Sequence, residues 1–281
     1  MFLLKTLWVI TTFVVFLAVD FSARAQLKIV SGSEPQRVFA GAEREVLIDF
    51  YNPDGQDCTR EIRTRLVQVS SSAAVVLAEK KWKQIEILAG QTVQETTQVD
   101  FPAVNAETRF LIQWMEGTNR VIGKTEVLAY PTNLLGELKP LLGEEHLGVL
   151  DPNDKLKPVL KQNHLNFLDL GEMSLEDFHG KLAILGPFES KAQIRADLKQ
   201  SVQKIASKGV TVVWIQPPLM PKDELTPSFY TVPEGLGAVV VVESGLVANF
   251  AENPRSQLNL VSLCKLALKP KLPVLPNLNV Q

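Results

Sequence analysis

The sequence predicts a two-domain chain, an all-β immunoglobulin-like sandwich followed by a three-layer α/β domain with a mostly parallel sheet. Three observations carry the expectation. Seven short β-rich segments lie between Leu27 and Tyr130, the number and spacing of a sandwich of roughly 100 residues. Strands begin to alternate with amphipathic helices after Pro131. Both regions follow an apolar leader that bears on the compartment. The boundaries read from these changes are 1–25 for a signal peptide, 26–131 for the sandwich, 132–269 for the α/β domain and 270–281 for an extended Pro-rich tail.

The leader has a charged start at Lys5, an apolar run from Leu7 to Val19, and small residues in Ser22-Ala23-Arg24-Ala25 before Gln26. That is the layout of a secretory signal with an A-x-A cleavage site. The run is short of the roughly 20 residues that cross a bilayer core. The expectation is a secreted or periplasmic protein with no transmembrane span once the leader is cut. Formal charge is −2 for the whole chain. Loss of Lys5, Arg24 and Asp20 leaves the mature chain near neutral, and no Lys/Arg block is interleaved with aromatics, which argues against a nucleic-acid partner.

In the first region the candidate strands are Leu27 to Val30, Glu45 to Tyr51, Ile62 to Val69, Lys83 to Leu88, Val93 to Phe101, Thr108 to Met115 and Val121 to Ala129. Val46, Ile48 and Phe50 alternate with Leu47, Asp49 and Tyr51, and Phe110, Ile112 and Trp114 alternate with Leu111, Gln113 and Met115. Turn chemistry separates these runs at Asn52-Pro53-Asp54-Gly55, Ala89-Gly90 and Gly117-Thr118-Asn119. Trp82 and Trp114 on such strands read as core fillers rather than as a sugar-stacking platform. Arg60, Arg63 and Arg65 beside Glu61 read as a mixed-charge exposed face. Cys58 and Cys264 are too far apart in the chain to make a disulfide framework. Whether they pair or stay free is left open.

In the second region strands are expected at His146 to Leu150, Leu165 to Leu170, Leu182 to Gly186, Val210 to Ile215 and Ala238 to Val242. Helices are expected from a cap at Asp154 to Gln162, over Ser174 to His179, from about Ser190 to Gly209, and from Pro254 behind the cap Asn253. Ile194, Leu198, Val202 and Ile205 form the apolar face of the third helix. The stretch from Leu219 to Gly237 is Pro-rich and reads as irregular.

Leu147-Gly148-Val149-Leu150, the strand Leu182 to Gly186 followed by Pro187-Phe188-Glu189, the run Lys208-Gly209-Val210-Thr211-Val212-Val213, and the closing strand and helix together resemble the class I glutamine-amidotransferase-like fold over about residues 140 to 268. The likeness is closer to its non-catalytic variants, such as the trimerisation domain of some β-galactosidases. The resemblance implies a flavodoxin-like sheet used for packing or assembly.

None of that family's chemistry is matched. An active member needs a Cys on a strained strand-to-helix elbow. Here the strand ends in Gln216-Pro217-Pro218, and Cys264 lies among Leu260, Leu263 and Leu268 of the last helix. Glu243-Ser244-Gly245 lacks the glycine two positions before a serine nucleophile. His146, His164 and His179 stand apart with no zinc-ligand spacing. No Gly-rich phosphate loop is present, so no cofactor and no metal is expected. The remaining catalytic candidates are the acids Asp151 and Glu189 behind two neighbouring strands, where open α/β sheets bind ligands. A pair of carboxylates there would suit glycoside hydrolysis. The plainer role of Asp151 is a solvated turn. The leading expectation is therefore an exported, non-catalytic interaction or assembly protein of the cell envelope that meets a protein partner or itself. The alternative is a secreted carbohydrate-active hydrolase or sugar-binding protein.

Overall fold

The computed structural model describes residues 27–30, 32–117, 119–217, 228–243 and 249–269. Their elements are β1 (Lys28–Val30), β2 (Gln36–Phe39), β3 (Ala42–Tyr51), β4 (Cys58–Val69), β5 (Ala74–Ile87), β6 (Thr92–Phe101), β7 (Thr108–Glu116), β8 (Arg120–Tyr130), α1 (Lys139–Leu142), β9 (Leu147–Leu150), α2 (Lys157–Gln162), β10 (Leu168–Asp169), β11 (Leu182–Leu185), α3 (Leu198–Ser207), β12 (Thr211–Gln216), β13 (Ser228–Glu234), β14 (Gly237–Glu243) and α4 (Pro254–Leu268). The expected signal peptide, the candidate elbow serine Ser244, most of the Pro-rich stretch after Leu219 and the tail 270–281 fall outside the described residues.

The strands form three sheets, ordered β1-β3-β6, β2-β8-β7-β4-β5 and β10-β9-β11-β12-β14-β13. This corrects the expected fold class. The chain is mixed α/β with parallel pairing in two of its three sheets, not an all-β immunoglobulin-like sandwich followed by a flavodoxin-like three-layer domain. The first departure is β2, which no alternation announces and which runs parallel to β8, with Gln36 opposite Val127 and Phe39 opposite Tyr130. The second is β13, which lies in the stretch read as irregular and adds an antiparallel edge to an otherwise parallel sheet, Val232 opposite Val239.

The chain divides into two compact units. One takes residues up to 35, 45–98 and 110–126; the other takes 36–44, 99–109 and everything from 127. In the first unit the alternation read from the sequence becomes burial: Val46, Ile48 and Phe50 are buried while Leu47 is exposed. Phe50 stacks on Trp82 at 5.8 Å between ring centres, and Trp114 meets both edge-on at 5.6 and 5.1 Å. Trp114 is fully buried, and its indole N–H donates to Thr125 Oγ1 at 2.9 Å. The aromatics thus fill the core, as their strand positions predict. Buried Asn52 organises the predicted turn: its amide donates to the carbonyls of Gln56, Ile87 and Leu88 and its Oδ1 accepts from Asp54 N–H. Glu79 bridges Arg63 and Arg65, and Arg60 pairs with Glu116, so the arginine-rich stretch is an ion-paired surface. Cys58 is buried and free, and burial raises its thiol pKa.

In the second unit the six-stranded sheet sends alternate residues to two cores. Val149, Ile184, Val213, Ile215, Val240 and Val242 pack against α2 and α4. Ala183, Leu185, Val212, Trp214, Val239 and Val241 pack against α3. Continuous Val/Ile runs follow from this two-sided burial. Helix α4 starts where its sequence signals put it, with Asn253 Oδ1 accepting from the N–H groups of Arg255 and Ser256. Its Cys264 is free and fully buried, with a thiol pushed up to about 12 by burial alone. Helix α3 begins at Leu198 rather than near Ser190, because Lys191–Gln193 form a separate 3-10 turn whose C-cap Ile194 is extended. The Ser174 to His179 stretch is only the 3-10 turn Leu175–Asp177. Among the described residues no helix is long and apolar enough to cross a membrane.

Gly237 opens β14 against backbone: a Cβ there would stand 2.2 Å from Val210 O and 2.7 Å from Ala206 O. A Cβ at Gly136 would meet nothing within 4 Å. Gly237→Ala is therefore expected to lower unfolding free energy by about 1–3 kcal/mol, the usual cost of overpacking, while Gly136→Ala stays within about 0.5 kcal/mol of wild type. Urea unfolding of the two variants checks this, and equal losses would contradict the close approach.

Candidate functional site

The carboxyl ends of β9, β11 and β12 are where a parallel sheet would open a ligand crevice. Here the chain itself occupies them. Gly186 N–H donates to Leu150 O at 2.7 Å, and Phe188 N–H donates to Ile215 O at 3.3 Å. The Gly186–Pro187 bond is cis, and Phe188 is buried. Asn153 Nδ2 donates to Pro187 O at 3.0 Å, and Gln193 Nε2 donates to Asn153 Oδ1 at 2.9 Å. These bonds fasten the loop after β9 to the loop after β11.

Asp151 is 2% exposed. Its Oδ2 accepts from the N–H of Leu156, the N-cap residue of α2, at 2.6 Å and of Lys157 at 3.0 Å, so from outside the helix it satisfies the first amides of α2. Sequence reasoning gave that role to Asp154, which instead takes a left-handed conformation with φ 49°. Asp151 Oδ1 is buried with no hydrogen-bond partner among the described residues. Glu189 lies on the surface, 2.7 Å from Lys155 Nζ, and its N–H donates to Gln193 Oε1 at 2.7 Å. The two acids follow neighbouring strands as expected, yet no hydrogen bond or ion pair joins them, and they share no partner, among the described residues. Asp169, at the end of β10, takes the Lys157 ammonium at 2.6 Å and the Gly171 N–H at 2.9 Å. Burial pushes its carboxyl up, but these two partners outweigh it and hold the pKa below its ordinary 3.8.

A different feature remains open. Beside α3 lies a cavity of about 310 Å³. Lys199, Val202 and Gln203 reach it from the helix, Trp214 and Gln216 from β12, and Val232, Val239 and Val241 from the two edge strands. The walls are apolar, and every other lining group can donate a hydrogen bond. Among the described residues no carboxylate, cysteine or histidine lines it. Trp214 is 7% exposed, and its indole N–H is buried with no acceptor among the described residues. Sequence reading placed Trp214 on a strand and Gln216 just after its end, but neither on a cavity. The legible signal was Gln216, a polar residue closing an otherwise apolar strand. Among the described residues no group of three or more histidines, cysteines or acids could hold a metal ion.

Fold and site together define a class: a mixed α/β chain with closed strand ends and a donor-lined cavity at the sheet edge. No protein-family model and no curated protein matches the chain. Among solved structures it is similar to an alkylpurine DNA glycosylase of Pseudomonas fluorescens bound to DNA containing an abasic site analogue, at 15% identity and TM-score 0.28 over 37% of this chain and 30% of that one. It is similar to a sporulation control protein of Bacillus subtilis at 15% identity and TM-score 0.29, over 44% and 61% of the two chains. It is also similar to a β-glucosidase of Listeria innocua in complex with glucose, at 14% identity and TM-score 0.27, over 37% and 16%. The chain spans less than two thirds of each of these proteins. At such scores the likenesses carry neither fold nor function over.

Removing this acceptor from the start of α2 by Asp151→Ala is expected to cost about 1–2 kcal/mol of stability, and Glu189→Gln less than about 0.5 kcal/mol, since its ion pair is exposed. Denaturant titration of the two variants measures both. A depressed carboxyl pKa contributes stability that is present above the unfolded value and lost as pH falls through the folded one. Wild type should therefore lose stability as pH drops from about 4, and Asp169→Asn should show a shallower decline in melting temperature over that range.

Proposed function

We propose that this chain is an exported, non-catalytic interaction protein of the cell envelope, and that it associates with a second copy of itself through β5. The observation that carries this reading is the edge of the five-stranded sheet. β5 ends the order β2-β8-β7-β4-β5, so among the described residues no strand pairs with the outer side of its backbone. At its start Val75, Val76 and Leu77 are 55, 54 and 41% exposed. An apolar edge strand of this kind is a template for strand addition, and natural sheets commonly blunt it with charge. Lys80, Lys81 and Lys83 do so further along, with Lys81 on Glu61 and Lys83 on Glu95. The segment 74–78 has no such protection.

A two-fold axis at Val76 would set Val75 opposite Leu77 and Ala74 opposite Ala78 on an antiparallel partner. Each Val or Leu fully buried contributes about 1.5–3 kcal/mol, in addition to the backbone hydrogen bonds gained. The non-catalytic part of the reading draws on the strand ends: Asp151 is bound to the first amides of α2, Glu189 is a surface ion pair, and the chain fills the crevice between them. Export draws on the leader from Lys5 to Ala25.

Sedimentation of the mature chain at micromolar concentration is expected to show a concentration-dependent dimer that Val76→Lys converts to a monomer with unchanged melting temperature. A wild-type monomer at 100 times that concentration, or a dimer untouched by Val76→Lys, would overturn the pairing. The N-terminus of the protein recovered from its host is expected at Gln26 by mass spectrometry. An intact Met1 would overturn cleavage.

A further inference from the structure

We infer that the cavity beside α3 is a binding site for a small organic monocarboxylate, an ionised carboxylate on an apolar body. This inference stands independently of β5 pairing. A volume of about 310 Å³ is at the lower end of the roughly 300–1,000 Å³ of small-molecule sites. It lies on the α3-facing side of the sheet, where Trp214, Val239 and Val241 line it from mid-strand and Gln216 from the end of β12.

Two features choose the ligand class. The floor is made by three strand valines, Val202 and the Trp214 ring, a surface that favours an apolar body. The polar lining groups are Lys199, Gln203 and Gln216. Among the described residues Lys199 stands in no ion pair, and neither amide side chain is engaged. Glu243, the register partner of Gln216, is not part of the lining. Among the described lining residues, one fixed positive charge, two amides and no negative charge suit an anion rather than a cation.

The Trp214 ring lines the cavity, so its indole signal reports occupancy. A carboxylate, with two oxygens able to accept several hydrogen bonds, can take both the Lys199 ammonium and an amide N–H of Gln203 or Gln216. The apolar chain then lies on the valines. The site needs no proton transfer and no covalent step.

The test is a titration of the mature protein followed by the indole N–H signals of its tryptophans, with Trp214 assigned by Trp214→Phe. The probes are butanoate, hexanoate, decanoate, benzoate and phenylacetate, each against its neutral amide. At least one carboxylate is expected to move the Trp214 signal saturably with a Kd below about 1 mM, its amide binding at least tenfold more weakly. Lys199→Met, a substitution at an exposed position, should lower that affinity at least tenfold, and Gln216→Leu should weaken it less. The inference is overturned if no carboxylate moves the signal, if acid and amide bind alike, or if Lys199→Met binds as wild type does.

Discussion

The second unit depends on one glycine. Gly186 ends β11 at φ 98°, a left-handed conformation that side chains resist, and a Cβ there would stand 2.3 Å from Ile215 O. Because that space is empty, the backbone can turn at once, give its N–H to Leu150 O and place the Phe188 N–H on Ile215 O. One turn of chain therefore ties the ends of β9, β11 and β12, the three strands at the middle of the sheet. A longer or less tightly turned connection would leave these ends open, as ligand-binding sheets commonly do. The geometry that makes the sheet cohesive is also what removes the expected crevice.

The acids around that turn take their roles from it. With the crevice filled, Asp151 faces the first amides of α2 and accepts from them, and Glu189 is left outside with Lys155. Chemistry between two carboxylates needs both in one solvated cleft, and here one is buried on backbone while the other sits on the surface. What remains accessible on the described residues is of another kind: an apolar strand edge in the first unit and a cavity lined by donors in the second. Neither segment 74–78 nor the described lining of the cavity carries a carboxylate, cysteine or histidine.

Much of the local structure was legible because the physical signals were local. The alternation in β3 and β7, the Asn52 turn, the Val/Ile runs of β11, β12 and β14 and the Asn253 cap each declare themselves within a few residues. The misreadings come from pairing decided at a distance. β2 is a four-residue strand whose partner lies some ninety residues on, and nothing in Gln36-Arg37-Val38-Phe39 marks parallel addition. β13 pairs with the next strand through a two-residue turn that Pro233 disguised, and proline is tolerated there because β13 is an edge. The first half of β5 went unread since Ala74 to Ala78 is a continuous apolar run without alternation, the pattern of two-sided burial, whereas all five residues are exposed. Asp151 and Glu189 were correctly assigned to neighbouring strand ends. Their separate roles depend on the Gly186 turn, which sequence periodicity does not encode. The cavity was invisible for the same reason, since it arises from how little of the β12–β14 face the ten residues of α3 cover.

The closed strand ends are the central claim, and amide hydrogen exchange on the folded protein tests it most directly. If the turn closes the sheet as described, the amides of Gly186 and Phe188 exchange as slowly as those of Ala183 and Ile184 inside β11, opening only when the whole unit unfolds. If both exchange at rates near those of a free peptide while β11 stays protected, the crevice is open to solvent and the account of Asp151 and Glu189 as non-catalytic fails.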